Sequence, residues 1–197
     1  MAAPTYSTGT NLLNGVSLAA GKNAACLFDL STVIQGLVWV MMQTGSSVTS
    51  MTGVTFALRR VIGAKATGNT TLSSGVSSGA TSITVGSATN IVKGRMIALI
   101  AAATGVGEIV TVSGVSGTTI TVSATENAYA LNDLVFLVED IASGGSIVPS
   151  TSGTWAVNTS YDTTLYPPIG VWILHVSGDS AQTTTITALA DEVAAIQ

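Results

Sequence analysis

Between Asp29 and Arg59 the chain carries no charged side chain, and it carries none again between Lys65 and Lys93. Disordered chains combine high charge with low hydrophobicity. Here the balance is inverted, with 47% apolar and 8% charged residues in a chain of 197, against a usual charged share of about a quarter. The chain must fold and bury most of itself. Its length suits one large domain or two small ones, each with its own core.

Polarity comes instead from 22 Ser and 29 Thr, interspersed with 21 Gly and many Val and Ile. β-Branched side chains suit a pleated surface and glycine supplies turns of positive φ, so the class is mainly β. Six basic against ten acidic side chains leave a net charge of −4. That opposes nucleic-acid binding, which needs a concentrated basic patch. Only Arg59, Arg60 and Lys65 come near one. Cys26 is the single cysteine, so no internal disulfide forms. Met1 to Ala20 has neither a basic start nor a continuous apolar run, which argues against a signal peptide. The longest apolar runs, Leu37 to Met42 and Met96 to Ala103, fall short of the roughly 20 residues of a membrane helix. No membrane partner is expected.

Along the chain, residues 1–23 read as an N-terminal arm, polar and small apart from Leu12 and Leu13. Ala24 to Leu30, Gly36 to Met42 and Val54 to Val61 read as strands, the second so apolar that both its faces should be covered. A linker of Thr, Ser and Gly, Thr67 to Gly79, leads into five short strands between Ser82 and Glu139, with Gly114 and Gly117 in a hairpin loop between two of them. Thr154 to Val157, Val171 to Val176 and Thr183 to Thr187 supply three more. In the tail, Leu189, Val193 and Ile196 fall at i, i+4 and i+7, which predicts a short amphipathic helix from Thr187, its N-cap. Too few strands lie on either side of the middle unit to close a stable layer alone. The expected architecture is a discontinuous antiparallel β-sandwich of residues 24–66 and 141–197, with a small β-barrel or sandwich inserted at 67–140 and a short C-terminal helix.

Chemistry is sparse. His175, the only histidine, sits on an apolar strand and reads as a locally satisfied core residue. Gly75 to Gly79 matches G-x-S-x-G around Ser77, but that motif acts at a strained strand-to-helix elbow, and here a linker precedes it and a strand follows. Asp29, Asp162 and Asp179 are far apart in sequence and read as solvated boundary residues. No cysteine and histidine spacing fits zinc and no glycine-rich loop opens a helix. No catalytic residue, metal or cofactor is expected. Adjacent strand residues point to opposite faces, so only one of Arg59 and Arg60 can face a given surface. Trp155, Tyr161 and Tyr166 lie in a turn-rich stretch before Pro167, where an exposed aromatic stacks on a sugar or fills a partner's pocket. A non-enzymatic structural component is the simplest reading, because permanent interfaces exclude charge from their centres whereas freely diffusing proteins rely on it.

Leu27 to Thr32, leading into Gly36 to Val40 and on to Leu58-Arg59-Arg60-Val61, resembles virion structural proteins of tailed bacteriophages. Ser78 to Val85 and Val110 to Val122 carry the same resemblance. It implies a small β-rich protein that decorates or cements the head, made in the host cytoplasm and held on the capsid surface of the virion. Its partners would be the major capsid protein and copies of itself in a homo-oligomer. The alternative role is a tail, neck or fibre component that binds glycans. Residues expected at the interface are Tyr6, Leu12 and Leu13 of the arm, with Arg59, Trp155, Tyr161 and Tyr166. Deleting Met1 to Ala20 should then lower occupancy on shells.

Overall fold

The computed structural model describes residues 10–31, 33–47, 50–62, 67–147, 158–167 and 170–194. Among them are strands and no helix. The strands are β1 (Thr10–Leu18), β2 (Asn23–Asp29), β3 (Val33–Thr44), β4 (Val54–Ile62), β5 (Thr70–Thr71), β6 (Ser82–Thr84), β7 (Met96–Ile100), β8 (Val106–Ser116), β9 (Thr119–Val122), β10 (Leu134–Ile147), β11 (Ser160–Leu165), β12 (Val171–Ser177) and β13 (Thr184–Ala194).

The ladders are antiparallel. β1, β13, β3 and β11 form a four-stranded sheet in that order. The order β2, β12, β4, β10, β7, β8 begins a second sheet, which closes on itself because β8 returns to β2 through Ala25↔Gly107 and Cys26↔Val106. A six-stranded barrel results. Beyond the closure, β8 continues outward to pair β9, β9 pairs β6, and β5 pairs the start of β10.

Each barrel strand has two buried faces, and period-two alternation divides its residues between them. On β12, Trp172, Leu174 and Val176 join a core shared with Val38, Val40 and Met42 of β3 and Ile186 and Ala188 of β13. Ile173 turns the other way, into the barrel interior with Ala25, Ala98, Ile109, Phe136 and Val138. A third core lies against the opposite barrel wall, where Leu72, Ile83, Val85 and Ile120 pack on Ile97, Leu99 and Val110. This division explains the continuous apolar run of β7, whose Ile97 and Leu99 enter one core and Ala98 and Ile100 the other, and the nearly continuous one of β12. The barrel takes β2 and β4 from before the expected insertion, β12 from after it and β7 and β8 from within it, and β10 spans residues 140 and 141.

Several elements differ from the sequence reading. The C-terminal helix is absent: Thr184–Ala194 is a strand paired with β3 on one side and β1 on the other. A spacing of four is even, so Leu189 and Val193 share a face in a strand as well as in a helix. Two ladders and the buried set Ile186, Ala188 and Ala190 outweigh the helical pattern. Thr10–Leu18 is an integral strand rather than part of an arm. Register shifts between Asn11 and Leu13 and between Leu13 and Val16 let consecutive leucines enter one core, which hides the alternation. β3 lies between β13 and β11 as a central strand, and within the apolar run Val38, Val40 and Met42 are fully covered. Leu37, Trp39 and Met41 on the outer face remain half-buried. β11 falls in the stretch read as turns. The expected strand Thr154 to Val157 lies outside the described residues.

Candidate functional site

Inside the barrel, register places Ile173 opposite Arg59 and His175 opposite Ala57. From there the Arg59 Nε donates to His175 Nδ1 at 3.2 Å. Burial and the Arg59 charge push the imidazole down to about 4, and burial also lowers the guanidinium. A histidine already holding a proton donor on Nδ1 and disfavouring its own protonation is a poor general base near neutral pH. Ser77 lies elsewhere, in a turn over the outer barrel wall where its carbonyl accepts from Thr125 Oγ1 at 2.9 Å. Arg59 points inward and Arg60 outward, in keeping with strand alternation.

Among the described residues three carboxylates are buried, and each organises backbone. Glu108 is fully buried and accepts from the amides of Glu126 at 2.7 Å and Asn127 at 2.9 Å, and from the Tyr129 hydroxyl at 3.0 Å. Asp133 accepts from the amides of Ala102 and Ala130. Asp179 is also fully buried; Oδ2 takes the amides of Thr52 and Gly53, and Oδ1 those of Ala181 and Gln182. Burial alone would raise its pKa, yet the four amide donors outweigh it and hold the carboxyl below its usual value. The reading of Asp179 as a solvated boundary residue is therefore corrected: it clamps the turn before β4 to the β12–β13 connection.

A cleft of about 480 Å³ opens where the turn between β1 and β2 meets the loops after β7 and β9, with Lys22, Asn23, Thr104 and Glu126 on its walls. The Glu126 carboxylate is already engaged by the Asn23 amide at 2.8 Å and side chain at 2.9 Å, and Asn23 Oδ1 accepts from the Ile109 amide at 2.9 Å. These polar groups tie the start of β2 to β8 and to the loop after β9. Among the described residues, no group of acidic, histidine or cysteine side chains is arranged to hold a metal ion.

The remaining feature is a surface. On the outer face of the four-stranded sheet, register sets Leu189 opposite Trp39, Thr187 opposite Met41 and Asp162 opposite Met41 from the other side. The Trp39 indole Nε1 donates to Asp162 Oδ2 at 3.0 Å, fixing the ring on the sheet. Leu37, Trp39, Met41 and Leu189 form a half-buried apolar centre, flanked by Thr164, Thr185 and Thr187.

Those of the residues expected at an interface that are described do not gather there. Leu12 and Leu13 are buried in the chain's own core, Arg59 faces the barrel interior, and Tyr161 packs half-buried against the core beneath the sheet. Tyr166 is 65% exposed. Tyr6 and Trp155 lie outside the described residues. Trp39 and Asp162 escaped the sequence reading because they are 123 residues apart and β11 carries no apolar alternation to reveal its pairing. No family model matches the chain, and no curated protein or solved structure matches it.

Proposed function

We propose that the chain is a non-enzymatic structural protein of a bacteriophage virion that decorates the outside of the capsid and stabilises it. The observation that carries this reading is the poverty of surface charge. Of six basic and ten acidic side chains, Arg59, Glu108, Asp133 and Asp179 are buried, and the four-stranded sheet presents an apolar centre flanked by threonines and Asp162. A surface of this kind favours permanent contact with neighbours over free diffusion. Each copy would lay its sheet face, the outer layer of a sandwich built on the barrel wall, on capsid subunits and on other copies. Many weak contacts then sum to firm attachment. The resemblance to tailed-phage virion proteins supplies the class of particle.

Sedimentation of the isolated protein, with electron microscopy of labelled particles, tests the proposal. Self-association together with label over the head is expected. A highly soluble monomer that turns over a small molecule would overturn it. The exposed Tyr166 favours a second reading, a tail, neck or fibre component that binds glycans; label at the tail and glycan binding abolished by Tyr166→Ala would establish that one instead.

A further inference from the structure

Asn14-Gly15 is the one Asn-Gly pair in the chain, and it falls in the bulge of β1. Leu13 pairs Ala188 and Val16 pairs Ile186, so Asn14 and Gly15 together stand opposite Thr187 alone. Both are exposed. Gly15 adopts a φ of 61°, a conformation natural to glycine, and it brings no Cβ to shield its own nitrogen. It has no cross-strand partner residue of its own, and its amide donates to the Thr187 hydroxyl at 3.2 Å. Two other asparagines are better restrained: Asn23 is held by Glu126 and Ile109, and Asn69 Oδ1 accepts from the Leu137 amide at 2.6 Å.

We propose that Asn14 is a site of spontaneous hydrolytic modification built into the edge of the sheet. The Gly15 amide nitrogen attacks Asn14 Cγ. A new N–C bond forms, the amide proton is lost to solvent, and the side-chain nitrogen leaves as ammonia, closing a succinimide. Water then opens the ring at either carbonyl and leaves aspartate or isoaspartate. Water is the only co-reactant and nothing is oxidised or reduced. Either product adds a negative charge to a chain poor in charges. Isoaspartate also lengthens the backbone path between Leu13, which is buried in the core, and Val16, so the modification loosens β1 from β13.

The full-length protein is incubated at mildly alkaline pH and read by peptide mass mapping with isoaspartate detection, beside a free peptide spanning Thr10 to Leu18. Conversion should concentrate at Asn14, accelerate with hydroxide, vanish in Asn14→Gln and increase in Thr187→Val, which frees the Gly15 amide. Gly15→Ala should slow it roughly tenfold, since a Cβ crowds the attacking nitrogen. Conversion spread evenly over the asparagines, or an Asn14 that stays intact in the folded protein while the free peptide converts, would overturn the proposal.

Discussion

Arg59 donates from Nε to His175 Nδ1 inside the barrel, so the only histidine in the chain is held neutral beside a buried cation. Its folded pKa of about 4 lies below the ordinary histidine value of 6.5. Protons therefore favour the unfolded chain across that interval: the contribution is complete above about pH 6.5 and disappears as pH falls towards about 4. Its ceiling is about 3 kcal/mol. Urea unfolding measured across this range should show stability rising with pH, and His175→Asn should flatten the slope. An unchanged slope in the variant would remove His175 from the account.

Asp179 governs a lower window. Its folded pKa is depressed from 3.8, so the stabilisation is present above the unfolded value and is lost as pH falls through the folded one. Asp179→Asn keeps the shape but turns an amide nitrogen towards backbone donors, leaving buried N–H groups without an acceptor. The expected loss is about 2 to 4 kcal/mol at neutral pH. Hydrogen exchange should quicken at Thr52 and Gly53 or at Ala181 and Gln182, and protection retained at all four would refute the clamp.

Barrel closure hangs on Gly107, which pairs Ile100 of β7 and Ala25 of β2 at once. A Cβ there would strike the Leu99 carbonyl, lying 2.8 Å from its carbon and 3.0 Å from the Ile100 Cα. The obstacle is backbone, which cannot rotate aside as a side chain would. Gly107→Ala should cost about 3 kcal/mol or more, read as a lowered Tm. A variant as stable as the parent would show that β7 and β8 do not approach this closely.

The strands of the middle segment were legible where glycines punctuate short runs, continuous and apolar in β7, alternating in β9. Gly36 to Met42 reads as covered on both faces, yet its outer face is only half-buried; the strand covered on both faces is Val171 to Val176, because closure of the barrel depends on pairings distant in sequence. β1 escaped through its bulges, β11 through its polarity, and β13 because even spacing fits both periods. His175 was readable as a satisfied core residue, yet its partner Arg59 lies on another strand. The buried carboxylates were not readable, since an acid that ties loops together looks in sequence like one facing water.

The two N-terminal truncations should behave differently. Removing residues 1–20 deletes β1 and with it the buried Leu12, Leu13 and Leu18. At about 1.5–3 kcal/mol per leucine, the loss approaches the whole stability of a typical domain, so this truncation should unfold the chain. Removing residues 1–9 leaves the β1–β13 ladder, which begins at Thr10 and Ala190. If those residues act as an arm, this shorter deletion should lower particle occupancy while the strand signal in circular dichroism persists. Full occupancy by the shorter truncation would show that they play no part in attachment.

The outer sheet face gives the sharpest test of assembly. Met41 is half-buried, with Thr187 and Asp162 as its cross-strand neighbours. Met41→Lys puts a cation at the centre of the apolar patch, within reach of Asp162, without touching Val40 or Met42 in the core beneath. Stability should change by no more than about 0.5 kcal/mol, as for surface substitutions generally. Desolvating an ammonium in a dry interface is unfavourable, so self-association or shell binding should weaken about tenfold or more. Unfolding and sedimentation measured on the same variant separate the two effects: lost association at an unchanged Tm assigns the face to the interface, and undiminished association moves the interface elsewhere on the molecule.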